Sequence, residues 1–136
     1  MGYWRSQRVD TIIDTNTLTN SYDDNTATAE VAGFTMASLY IEYTPAEDAS
    51  DCYIQLESGY DDANLFPESA FLEEDLTGVS TAKQHILKLE AVTGGVAVKR
   101  TDKFPIADLR LRISAKETTA GGYGTIKITL IRNEEG

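Results

Sequence analysis

A period of two runs through most of this chain, and long helical spacing is absent. The segment "DLRLRISAK" sets Leu109, Leu111, Ile113 and Ala115 against Arg110, Arg112, Ser114 and Lys116. Side chains of a strand point alternately to opposite faces, so such a row builds a sheet with one dry side and one wet side. "TIKITLIR" repeats the pattern with Ile126, Ile128 and Leu130, and the turn "ETTAGGYG" before it predicts a β-hairpin between the two segments. "MASLYIEYT" places Leu39, Ile41 and Tyr43 opposite Tyr40, Glu42 and Thr44. "DCYIQLES" does the same with Cys52, Ile54 and Leu56 against Tyr53, Gln55 and Glu57, and "PAEDAS" between them predicts a second hairpin. Weaker strands are expected in "ATAEVAG", in "QHILKLEAV" and in "GVAVKR", the last two separated around Gly94-Gly95. "PESAFLEEDL" alone has helical spacing, and it is too short to change the class. About seven or eight short strands with turn signals between them predict an all-β fold, an antiparallel β-sandwich of jelly-roll-like kind. Residues 1–20, with one β-branched run "VDTIID", are expected as an N-terminal arm or edge strand, and residues 21–136 as a single sandwich domain.

Charge is unevenly placed along this frame. The net charge is −10, and no Lys or Arg occurs between Arg8 and Lys83. Residues 9–82 carry 16 of the 22 acidic side chains, whereas residues 83–136 carry ten basic and six acidic ones. Two arrangements satisfy this split: acidic strands beside basic ones within a sheet, or two faces of opposite sign that favour head-to-tail assembly. A chain this acidic repels phosphates, so direct nucleic-acid binding is not expected. Cys52 is the only cysteine, which rules out an intramolecular disulfide. No apolar run reaches the length of a membrane helix or a signal peptide, so no membrane association is expected and synthesis in the cytoplasm is.

Two Tyr-Asp-Asp stretches, "SYDDNTA" from Ser21 and "GYDDANL" from Gly59, raise the question of calcium. Calcium takes six to eight oxygen ligands, and a dedicated loop spaces Asp and Asn at odd positions around a Gly. Asp23 and Asp24, like Asp61 and Asp62, are adjacent, and neither stretch has that order, so turn chemistry explains both without a metal. No metal-ligating, cofactor-binding or catalytic residue is therefore assigned. His85 is the only histidine, and its alternation with Leu87 and Leu89 places it on the core side. Cys52 shares a face with Ile54 and Leu56, and it would be a nucleophile only with His85 beside it. The glycines of "TTAGGYGT" sit between strands, whereas a phosphate-cradling loop must open a helix. Tyr40 and Tyr53 are expected on the polar side of adjacent strands as an exposed aromatic pair, which would suit a carbohydrate-binding module, with or without calcium.

From Leu39 onward the chain resembles small virion proteins of tailed bacteriophages. The resemblance is carried by "SLYIEYTPAEDASDCYIQLESGYDD", a strand ending in Tyr-Thr-Pro, a short polar turn and a strand closing in Ser-Gly. It continues in "KFPIADLRLRISAKETTAGGYGTIKITLI", with an aromatic, a Pro, a strand of LRLRIS type, a Thr/Gly-rich turn and a last strand. The ordered combination covers about 100 of the 136 residues. "YDDANLF" stands where the phage proteins carry Asn-Trp or Thr-Trp, so the aromatic contact expected there is altered. The resemblance implies a non-enzymatic head decoration, head-fibre base or tail component with no catalytic residues. Its implied partners are a major capsid or tail protein and further copies of itself, and its implied location is the virion. The basic, aromatic start "MGYWRSQR" is expected to be a docking arm.

Overall fold

The first three strands pair with late ones, and the fourth with both its two successors and the ninth, in the computed structural model. It describes residues 7–47, 50–61, 64–67, 85–90, 97–101, 104–106, 109–119 and 121–133. Among them are ten strands: β1 (Gln7–Thr17), β2 (Thr26–Glu30), β3 (Met36–Thr44), β4 (Asp51–Asp61), β5 (Asn64–Pro67), β6 (His85–Glu90), β7 (Ala97–Arg100), β8 (Phe104–Pro105), β9 (Arg110–Thr118) and β10 (Thr125–Asn133). A single 3-10 turn, Tyr22–Asp24, joins β1 to β2. The first sheet runs β1-β10-β3, with β7 and β8 both on the far edge of β3; the second runs β2-β9-β4, with β5 and β6 both on the far edge of β4. With each split edge taken as one position, each sheet has four positions, and all pairs are antiparallel. This order is that of a jelly roll: a ribbon in which β1 lies on β10, β2 on β9, β3 on β7 and β8, and β4 on β5 and β6, wrapped into two facing sheets.

The predicted alternation is what closes the sandwich. Leu39, Ile41 and Tyr43 of β3 and Ile126, Ile128 and Leu130 of β10 point inward from the first sheet. Cys52, Ile54 and Leu56 of β4 meet them from the second sheet, together with Leu111, Ile113 and Ala115 of β9, and all twelve are at most 1% exposed. Each fully buried Leu or Ile contributes about 1.5–3 kcal/mol relative to exposure. Leu109 departs from the expected row; it precedes β9 and is half exposed. β1 is longer than "VDTIID" indicates, because register shifts at Thr11/Ile13 and Ile13/Asn16 break its alternation, and Thr15 takes φ 51°. β1 is the edge strand of its sheet and still sends Ile13 into the core. Met1–Ser6, the greater part of the expected docking arm, lie outside the described residues, as does "PESAFLEEDL" after Pro67.

Both expected hairpins are corrected. β3 and β4 belong to different sheets, and so do β9 and β10, so "PAEDAS" and "ETTAGGYG" carry the chain across the sandwich rather than back along one sheet. Alternation and a turn signal mark where a strand ends. They carry no information on whether the next strand pairs with it or faces it, because either choice buries the same apolar row. The two crossovers meet at one end of the sandwich. Gly124 presses on the first of them so closely that a Cβ there would lie 2.2 Å from the Thr44 carbonyl oxygen and 2.8 Å from Pro45 Cα. Ser50 Oγ donates to Thr119 Oγ1 across the same gap at 2.8 Å. The buried Glu117 carboxylate ties them together, accepting from the Tyr43 hydroxyl on β3 and from the Gly124 N–H at 2.7 Å. At the opposite end of β3, Arg132 joins the sheets: its guanidinium donates to the Asp10 carboxylate on β1 and to the Glu30 carbonyl on β2, over the Phe34 ring.

Candidate functional site

The positions that alternate away from the core on β4 and β9 form the wet side of the second sheet. Its register lays out rows: Thr26, Ser114 and Gln55 lie side by side, then Thr28, Arg112 and Glu57, while Lys116 is beside Tyr53. Arg112 holds Glu57 through Nε at 3.0 Å and Nη2 at 2.8 Å, both on the same carboxylate oxygen, Oε1. That geometry leaves Glu57 Oε2 and Arg112 Nη1 without a bond among the described residues, and neither atom is sealed off from solvent. Lys116 forms no ion pair with a described residue; its ammonium sits 4.7 Å from the Tyr22 ring centre and 5.7 Å from that of Tyr53.

Tyr22 reaches this face because the first Tyr-Asp-Asp stretch is a capped 3-10 turn. Ser21 Oγ accepts from the Asp23 N–H at 3.2 Å, and Thr19 Oγ1 donates to Asp24 Oδ2 at 2.6 Å. The Thr26 hydroxyl donates to the Tyr22 carbonyl at 2.6 Å, so its 3.0 Å contact with Ser114 is a bond that Ser114 donates. Backbone bonds from Ala115 to the Asn25 carbonyl and from Glu117 to the Thr19 carbonyl pin the turn to β9. The turn therefore overhangs the sheet and encloses an open concavity of about 470 Å³, to which Asn20, Ser21 and Asp23 add their polar side chains. Among the described residues no aliphatic side chain lines it. Burial pushes the Tyr22 hydroxyl well above its ordinary pKa, and that hydroxyl is enclosed without a hydrogen-bond partner among the described residues.

Other expected sites are dispersed. Tyr40 lies on the outer face of the first sheet and Tyr53 on that of the second, so the expected aromatic pair does not form; adjacency in sequence misled because the intervening turn crosses the sandwich. The second Tyr-Asp-Asp stretch is corrected from loop to strand at both ends: β4 runs to Asp61, which pairs with Asn64 of β5, while Asp62 lies outside the described residues. Among the described residues no three His, Cys, Asp or Glu side chains gather to hold a metal ion. Cys52 is opposite Leu89, four positions along β6 from His85, or roughly 13 Å at about 3.3 Å per residue. A register shift between Ile54 and Gln55 sets the His85 backbone opposite Gln55. Burial, reinforced by the Glu117 carboxylate, pushes the Cys52 thiol up to about 12, far from thiolate chemistry at neutral pH. Lys116, Arg112 and Glu57 were visible in the sequence only as outward positions of two strands; their meeting with Tyr22 depends on β9 pairing with both β2 and β4.

No family model matches the chain, and no curated protein sequence does. Solved structures do resemble it. The SPBc2 prophage-derived protein YomS aligns with a TM-score of 0.56 and 12% identity, over 98% of this chain and 97% of that one. A chain of infectious bursal disease virus, Gt strain, aligns with a TM-score of 0.44 and 14% identity, over 95% of this chain and 38% of that one. Dimeric latent PorU from Porphyromonas gingivalis gives 0.41 and 11%, over 99% of this chain and 13% of that one. At these identities the likeness to YomS is one of fold, and it extends from end to end of both chains.

Proposed function

We propose that this chain is a non-enzymatic structural protein of a tailed-phage virion, a capsid decoration or other head or tail accessory that binds the particle and self-associates. The observation that carries this reading is the end-to-end likeness of its jelly roll to a prophage-derived protein. It agrees with the ordered motifs from Leu39 onward, which resemble small phage virion proteins. The chemistry is in keeping with it: the Cys52 thiol is buried and protonated, and the strand register holds His85 away from it. Its partners on this reading are a major capsid or tail protein and further copies of the chain. Its location is the virion, after synthesis in the host cytoplasm. The net charge of −10 opposes a direct role on packaged nucleic acid.

Particles from a phage lacking the gene provide the test. Purified protein added to them should sediment with the particles and saturate at a fixed number of copies, and light scattering should find more than one copy per free assembly. A strictly monomeric protein that stays in the supernatant at every concentration would defeat the proposal.

A further inference from the structure

We infer that the concavity on the outer face of the second sheet is a binding site for an uncharged saccharide of about one or two sugar rings, a size that suits its volume of about 470 Å³. The inference does not depend on the particle role. Its described lining is hydroxyl, amide, carboxylate, guanidinium and ammonium, with Tyr22 as the aromatic wall, so it suits a polar ligand that carries some apolar surface better than a wholly apolar one. Sugar hydroxyls both donate and accept, and this surface presents both kinds of group side by side. The Glu57–Arg112 pair supplies both kinds. With both of its bonds on Oε1, it leaves the Oε2 acceptor and, on the opposite edge of the guanidinium, the Nη1 donor without a bond among the described residues, one group of each kind for sugar hydroxyls to meet.

The groups are fixed before any ligand arrives, which lowers the entropy lost on binding. Glu57 is clamped by Arg112, Lys116 is held over two tyrosine rings, and the turn is capped and bonded to β9. Charge selects the class of sugar. Glu57 and Asp23 balance Arg112 and Lys116 within the concavity, and the remainder of the molecule is strongly acidic, so a carboxylated, sulfated or phosphorylated glycan gains nothing here. No part of the site requires a metal.

The full chain should be screened against an array of uncharged and acidic oligosaccharides, and the best-bound one then titrated by calorimetry and amide NMR. The expected result is binding of an uncharged oligosaccharide, with shifts at Gln55, Arg112 and Ser114. Glu57→Gln should weaken it by roughly tenfold or more, and Asp23→Ala, at an exposed turn position, by roughly threefold or more. Thr26→Trp should fill the concavity and abolish binding, with melting temperature checking the fold, while Tyr40→Ala on the other sheet changes nothing. The inference is overturned if no uncharged oligosaccharide binds, or if only acidic ones do. It is equally overturned if Asp23→Ala and Glu57→Gln both leave the affinity intact.

Discussion

Glu117 is the residue on which the end of the sandwich depends. Its carboxylate is fully buried and accepts from a side chain of the facing sheet and from the backbone of the second crossover. Glu117→Ala strands the Tyr43 hydroxyl and the Gly124 N–H together, at a cost of about 3 kcal/mol and a fall in melting temperature of roughly 10 °C by calorimetry. Tyr43→Phe, which removes one partner, should cost less. Cys52 makes a different prediction. Folding raises its thiol from 9.0 to about 12, so the folded state holds that proton more tightly than the unfolded chain does. The associated stability is complete below about pH 9 and is lost as pH rises toward about 12. Cys52→Ala should therefore flatten the alkaline limb of a stability profile, and the native thiol should resist Ellman's reagent at about pH 8 until the protein unfolds. Rapid labelling of the native protein would show that the thiol is not sealed in the core.

The long strands were legible in the sequence, whereas the short β5 and β8 and the connections between strands were not. Rows such as Leu111, Ile113 and Ala115 announce a buried face wherever the strand is placed, because the period of two belongs to the strand itself. Whether β9 then pairs with β10 or faces it is decided by contacts far apart in sequence, such as Tyr43 with Glu117 and Gly124 against Thr44. The candidate site was hidden for the same reason, since its rows come from β2, β4 and β9 at once. Gly124 gives the test at this level. Gly124→Ala drives position 124 away from the Thr44–Pro45 backbone and should destabilise by about 2–4 kcal/mol in urea unfolding, whereas a glycine needed only for a hairpin turn would tolerate the change better. The β4–β9 pairing gives another. A double-mutant cycle on Glu57→Gln and Arg112→Met should return a coupling of about 0.5–2 kcal/mol, and a coupling of zero would remove the ion pair from the stability of the sheet.

The uneven charge of the chain finds its physical explanation in the topology of the molecule. A jelly roll lays its first strands against its last, so the acidic N-terminal part meets the basic C-terminal part strand by strand. Asp10 meets Arg132, Glu57 meets Arg112, Glu42 is in register with Lys127, and Glu30 with Arg110. Much of the sequence asymmetry is thus neutralised within the sheets, which favours the first of the two arrangements open at the sequence level. What remains is an acidic sandwich with β1 at one edge and a polar concavity on one face. The proposed role as a particle accessory is tested on this whole body. On the proposed reading, mass spectrometry of density-purified virus particles from cells that make the chain provides the decisive measurement. The chain should be recovered in repeated copies per particle, in constant ratio to the capsid or tail protein across preparations. Its absence from clean particles, while abundant in the lysate, would contradict a structural role in the virion.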